Sequence, residues 1–247
     1  MAGHSHSSNI AARKGVVDIK RGKLWSKLSR AIMIAAKHGG ADPISNLKLR
    51  YAIDKARQVS MPKDNIERAV KKGIGDSSAD TFDEVVYEAY APGGVAILID
   101  ILTDNRHRTN GEIRNIVEKG GGKMAAPGAV SYLFERKGVF IIDAKSTDEE
   151  TLMGILLEAG ADDLQPTGTN FEIVCDPTLF LQVKAALEKA NLAASVSELQ
   201  NIGKTSVDVG IEMGQRIIKL VDSLDDNDDV QNVWCNLNVT DEMVAST

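Results

Sequence analysis

Apolar residues near the start of the chain recur at the three- and four-residue spacing that places them on one side of a helix. Leu24, Leu28, Ala31, Ile32 and Ala35 form such a stripe and predict a helix from about Asp18, a suitable N-cap, to the Gly39-Gly40 stop. Leu49, Ala52, Ile53, Ala56 and Val59 predict a second helix, and Ile66, Ala69 and Val70 a third that begins near Pro62 and ends at Gly73. The three read as a small bundle. Gly3 to Val17, ahead of them, has no clear period and reads as an arm that orders on binding.

Beyond a polar link from Asp76 to Thr81 the period shortens to that of strands. Val85–Tyr90 and Val95–Leu102 flank Pro92-Gly93-Gly94 and predict a hairpin. A helix over Asn105–Lys119 stops at Gly120, Gly121 and Gly122, and a strand is expected through Val130–Phe134. From Val139 the order is strand (to Asp143), helix (Glu149–Ala159), strand (near Leu164), strand (Phe171–Cys175), helix (Thr178–Lys189) and strand (Ser195–Leu199), a βαββαβ unit of ferredoxin type. Ser206–Val209, Ile211–Leu224 and Val230–Leu237 then add a strand, a helix and a strand that complete the sheet begun at Val85. The expected fold class is α+β in three domains. A helical module spans 1–75, a discontinuous α/β middle domain spans 76–136 and 203–247, and a ferredoxin-like domain is inserted at 137–202.

Composition narrows the setting. The 247 residues are 43% hydrophobic and 26% charged, ordinary globular usage, and only 4% aromatic, so aliphatic side chains must build the cores. The longest apolar run, Ala31–Ala36, falls far short of a membrane span, and the basic N-terminus lacks an amphipathic Arg-bearing leader. Cys175 and Cys235 lie far apart in strand-like segments, which suits buried thiols in a reducing compartment. The expected location is the cytoplasm, with no membrane partner.

Charge changes the picture most. Residues 1–75 hold sixteen Lys and Arg against five Asp and Glu, a net of +11, while the remainder carries −17 of the total of −6. That asymmetry points to a basic module for a polyanion and an acidic body. On the first helix Lys20, Lys23, Lys27, Arg30 and Lys37 share a face turned away from the apolar stripe. The candidate nucleic-acid contacts are Asn9, Arg13, Lys14, Lys20, Arg21, Lys23, Lys27, Arg30, Lys63 and Arg68. Trp25 can stack on a base but is read as core. Arg106 and Arg108 form a second-rank site where Asp104–Thr109 leaves a strand and opens a helix whose free N–H groups attract anions; the competing reading makes Asp104 a cap and sends the arginines to solvent or the acidic body.

Catalytic chemistry is not visible. His4, His6, His38 and His107 have no metal-ligand spacing with one another or with the cysteines. Gly122-Lys123 lacks the rest of a phosphate-binding loop. Asp225, Asn227 and Asp229 begin like a calcium loop, but Val230 and Asn236 stand where its Gly and Glu belong. No enzyme, cofactor, metal or small-molecule substrate is expected, and oligomeric state is not readable.

Longer motifs carry a resemblance. Gly3-His4-Ser5, Asn9-Ile10, Arg13-Lys14, Lys20-Arg21-Gly22-Lys23, Met61 through Ala69, Tyr90 through Ala96, Leu102 through Arg106, Tyr132 through Gly138 and Asp228 through Val233 are similar to the YebC family, nearly end to end. That family includes the mitochondrial translational activator of cytochrome c oxidase. The resemblance implies three domains arranged as above, and a nucleic-acid partner: ribosomal RNA or the ribosome for a translation factor, or duplex DNA for a transcriptional regulator. Lysine-rich faces suit phosphate better than bidentate base reading, which favours the first. His6-Ser7 stand where the family has Lys-Trp, and Lys123 and Ala125 where it has Asn and Gly.

Overall fold

A computed structural model of the chain describes residues 21–75 and 82–244. The expected cap Asp18, the arm and the Asp76–Thr81 link lie outside the described residues.

Three helices form the N-terminal module: α1 (Arg21–Gly39), α2 (Leu47–Gln58) and α3 (Lys63–Gly75). Leu28, Ile32, Ala35, Leu49, Ile53, Ile66 and Ala69 close one apolar core, as their spacing demands, with Trp25 packed at its edge. Asn46 joins two of the helices. Its side chain accepts from the Leu49 N–H to cap α2, and its amide donates to the carbonyls of Ala35 (2.7 Å) and Gly40 (2.8 Å) at the end of α1. Gly73 does not end α3, which continues to Gly75. It sits where α3 crosses α1; a methyl group there would drive into the Met33 carbonyl and lie 2.9 Å from the Ala36 Cβ. The glycine serves close helix packing rather than a stop.

The first sheet has the order β3-β1-β2-β8, with β1 (Asp83–Tyr90), β2 (Ala96–Thr103), β3 (Lys123–Met124) and β8 (Val230–Cys235). The hairpin pairs Asp83 with Thr103 and Tyr90 with Ala96, and its turn carries Gly93 and Gly94 at φ 75° and 79°. Ile97, Ile99 and Ile101 face α4 (Arg106–Lys119) and α7 (Ile211–Asp225), while Ala96 and Leu98 pack with Val130 and Phe134 on the other face. Burial on both faces explains the nearly continuous apolar run of β2. Two expectations change here. Ser206–Val209 forms no strand; Val207 makes a single bridge to Leu237, and the short β3 fills the other edge. Val130–Phe134 is no strand either, because Ser131–Leu133 is a 3-10 turn and extended structure starts only at Phe134.

The second sheet, ordered β5-β6-β4-β7, contains β4 (Phe134–Asp143), β5 (Ala161–Thr167), β6 (Asn170–Cys175) and β7 (Ala194–Gly203), covered by α5 (Glu149–Ala159) and α6 (Phe180–Lys189). This is the βαββαβ order and strand sequence of a ferredoxin-like unit. Phe140, Ile142, Ile173, Leu152, Leu156, Val183 and Leu187 make its core. β4 is one strand where two were expected, since it pairs with β7 in one register from Phe134↔Gly203 through Gly138↔Leu199 to Ile141↔Val196. A short terminal helix, α8 (Asp241–Val244), closes the described chain. Cys175 and Cys235 are not joined in a disulfide, and burial pushes the Cys175 thiol up to about 11.

Candidate nucleic-acid interface

α1, α3 and the start of α4 hold every candidate contact inside the described residues. Asn9, Arg13, Lys14 and Lys20 lie outside them, and Arg21 opens α1.

Lys23, Lys27 and Arg30 share one face of α1, as their spacing requires, and that face is turned onto the first sheet unit. The Lys27 ammonium donates to the Asp225 carbonyl at the C-terminus of α7 and lies 3.9 Å from the Asp225 carboxylate. Lys23 reaches the Asp226 carbonyl at 3.5 Å. The ends of helices leave carbonyls without intrahelical partners and carry partial negative charge, so ammonium groups are favoured there. Lys27 is only 8% exposed; burial lowers its pKa, and the carboxylates of Asp225, Asp226 and Asp228 work against that fall.

Arg30 donates to Asp229 at 3.1 Å. The Asp229 carboxylate is buried and also receives Arg108 (2.7 Å), Thr109 (2.7 Å) and Thr103 (3.1 Å). Burial alone would raise its pKa, but the hydrogen bonds from Thr109, Arg108 and Thr103 outweigh it and hold the group below the usual carboxylate range. Asp229 is a junction between α1, the end of β2, the start of α4 and the segment after α7. Sequence reasoning meets it in a rejected calcium loop and in the Asp228–Val233 motif, and neither reveals these contacts, since its partners are scattered over two hundred positions.

The second-rank pair is likewise engaged by carboxylates. Asn105, not Asp104, caps α4 by accepting from the Arg108 N–H. Asp104 instead takes the Arg108 guanidinium at 2.8 Å, and Arg106 donates to Asp83 at 2.7 Å.

α3 presents the opposite case. Lys63, Arg68, Lys71 and Lys72 are all exposed along its outer side, with Lys63 3.7 Å from Glu67. Sequence reasoning passes over Lys71 and Lys72, although they follow Arg68 at the three- and four-residue spacing of one helix face.

The helical module meets both sheet units. Lys48 pairs with Glu84 at 3.1 Å, Lys55 with Glu198 at 3.2 Å and Lys184 with Asp54 at 2.7 Å, and Tyr51 packs edge-on to Phe180. Between the three lies an open cleft of about 1160 Å³. Asp100, the one charged residue of β2, lines it beside Asn232, and burial pushes its pKa up to about 6. Among the described residues, no group of three or more His, Cys, Asp or Glu is placed to hold a metal ion, and no helix is long and apolar enough to cross a membrane.

A basic helical bundle held by ion pairs against two acidic antiparallel sheet units defines a multi-unit α+β protein of a recognisable class. The family described as the TACO1/YebC protein N-terminal domain matches residues 5–76, and that described as the TACO1/YebC second and third domain matches residues 82–237. The chain belongs to the TACO1/YebC family. It is 47% identical over 99% of its length to all of a probable transcriptional regulatory protein of Rhodopirellula baltica, and 45% identical over 98% to 98% of one from Geobacter sulfurreducens. A conserved hypothetical protein from Aquifex aeolicus, known by its crystal structure, superposes with a TM-score of 0.82 at 42% identity, over 92% of this chain and 94% of that one.

Proposed function

We propose that this chain is a non-enzymatic, nucleic-acid-binding regulator of gene expression that acts in the cytoplasm as a ribosome- and RNA-associated translation factor. The observation that carries this reading is the exposed row Lys63, Arg68, Lys71 and Lys72 on α3, within a segment whose net charge is +11. Ammonium groups spaced along a helix neutralise phosphates and release their counterions, which supplies affinity without sequence reading. Asn9, Arg13 and Lys14 of the arm, with Lys20 after it, are proposed to add to the same contact. A factor docked on folded RNA needs no base code, because the shape of the RNA fixes its position.

Duplex DNA and transcription are the second reading, favoured by the name probable transcriptional regulatory protein that the relatives bear. A transcriptional regulator must prefer its operator over random duplex by about a thousandfold or more.

Replacing Lys63, Arg68, Lys71 and Lys72 together by Gln should weaken binding and flatten the slope of log affinity against log salt by roughly 3 to 4. An unchanged slope removes α3 from the interface. Co-sedimentation with ribosomes, with altered synthesis of particular polypeptides at constant mRNA, supports translation; a thousandfold operator preference without ribosome binding supports transcription.

A further inference from the structure

The face of α1 that sequence reasoning assigns to a polyanion is already occupied by anionic groups of the same chain. After α7 the chain reads Asp225-Asp226-Asn227-Asp228-Asp229, four carboxylates in five residues. Along α1, Lys23, Lys27 and Arg30 meet in turn the Asp226 carbonyl, the Asp225 carbonyl and carboxylate, and the Asp229 carboxylate. Side chains three and four apart on a helix stand about 5–6 Å from one another, so the segment sets oxygens against successive cations much as a phosphate chain would: a helix-end carbonyl for Lys23, a carbonyl and a carboxylate for Lys27 and a carboxylate for Arg30.

We infer that residues 225–229 are an internal competitor for the cationic face of α1, an autoinhibitory contact that a bound nucleic acid displaces as the helical module swings away from the sheets. The inference rests on the nucleic-acid reading above.

Two features make the exchange feasible. Asp229 keeps Arg108, Thr103 and Thr109 when Arg30 leaves, so the buried carboxylate is not stranded. Of the other ties between the module and the sheets, Lys48 and Glu84 keep 70% and 50% of their side-chain surface in water, where an ion pair holds little, while Lys184–Asp54 and Tyr51–Phe180, less exposed, act as the pivot on the second sheet unit. On release, Lys27 regains the water that burial denies it.

Zero-length carbodiimide coupling of the full chain, read by mass spectrometry, tests the contact with a 20-nucleotide oligouridine and a 20-base-pair duplex as probes. Lys27–Asp225 coupling reports the closed state, and Lys137–Asp162, 3.0 Å apart in the second sheet unit, is the internal reference. Saturating oligonucleotide should lower the ratio of the first product to the second by about fivefold or more. The variant D225N/D226N/D228N should bind the probes roughly tenfold tighter, because a larger fraction of the protein is already open. E149Q/E150Q/E158Q removes as many charges from α5 and should change affinity less than about twofold. Binding with an unchanged coupling ratio and no gain in the triple Asp variant overturns the internal competitor and leaves the nucleic-acid reading standing. Failure of both probes to bind native protein and variant alike overturns both; binding to the variant alone supports the competitor.

Discussion

Arg30 and Asp229, 199 positions apart in sequence, meet at 3.1 Å, and through that contact the helical module is fastened to the first sheet. The buried carboxylate is the shared acceptor of two guanidinium groups and two hydroxyls, so its loss strands several donors at once.

Replacing Asp229 by Ala should therefore lower stability by about 2–4 kcal/mol, measured by urea unfolding at neutral pH, with Asn costing less because it still accepts. The sign of its pH dependence follows from a folded pKa below the ordinary value of 3.8. The contribution is fully present above pH 4 and disappears as pH falls through the folded value. A D229A protein as stable as native would deny Asp229 any role in fastening the module.

Asp100 behaves in the opposite sense. Burial pushes its pKa to about 6, above the unfolded value of 3.8, so the folded state resists ionisation and loses stability as pH rises from about 4 to 6, with the full penalty present above that. Asp100→Asn should raise the urea midpoint at pH 7.5, by on the order of 1–2 kcal/mol in stability, and the advantage should vanish by pH 4. Equal midpoints for the two proteins at pH 7.5 would contradict a desolvated carboxylate at this half-buried position.

Glu88 anchors the loop before β4. Its carboxylate accepts from the amides of Gly128 (2.6 Å), Val130 (2.6 Å) and Ser131 (3.0 Å). Burial pulls its pKa up, and these backbone donors pull it down further, leaving it below the ordinary value. Glu88→Gln puts an amide donor among donors and weakens charge-assisted bonds worth about 1.5–3 kcal/mol each. Amide exchange at 128–131 should then speed by about tenfold or more while the β2 amides hold their protection.

Gly73→Ala tests the crossing of α3 over α1. The added methyl would meet the Met33 carbonyl and the Ala36 Cβ, so the helices must part, at about 1–3 kcal/mol. Gly75→Ala, with open space around it, is the control and should not destabilise. A thermal midpoint that stays put in G73A would mean the crossing is looser than the packing indicates.

Periodicity carried much of this fold. The stripes on α1 to α3, the hairpin around Gly93 and the βαββαβ order are local or repeat at fixed spacing, and the structure reproduces them. What escaped depends on distant partners. Gly73 looks like a helix stop until α1 is laid beside it, and Phe134–Asp143 looks like two strands until β7 is seen to pair with it from Phe134 to Ile142. Lys27 and Arg30 are legible as one helical face, but spacing along a helix tells nothing of what covers that face. The covering segment begins almost two hundred residues later.

The way β4 and β7 lie together has a consequence for how such a chain can be rearranged. The chain leaves the first sheet at Phe134 and comes back at Gly203, which are register partners, with the Lys204 amide donating to the Leu133 carbonyl at 2.8 Å. The two crossings are thus hydrogen-bonded neighbours, and the segment between them is joined to the first sheet by a two-stranded stalk, beside the Lys55–Glu198, Asp54–Lys184 and Tyr51–Phe180 contacts it makes with the helical module. Cutting the stalk and sealing it with a hairpin turn would rejoin ends that already touch, leaving β1, β2 and β8 in register. A segment attached in this manner can be exchanged with little demand on the first sheet, at the cost of its ion pairs with Lys55 and Asp54.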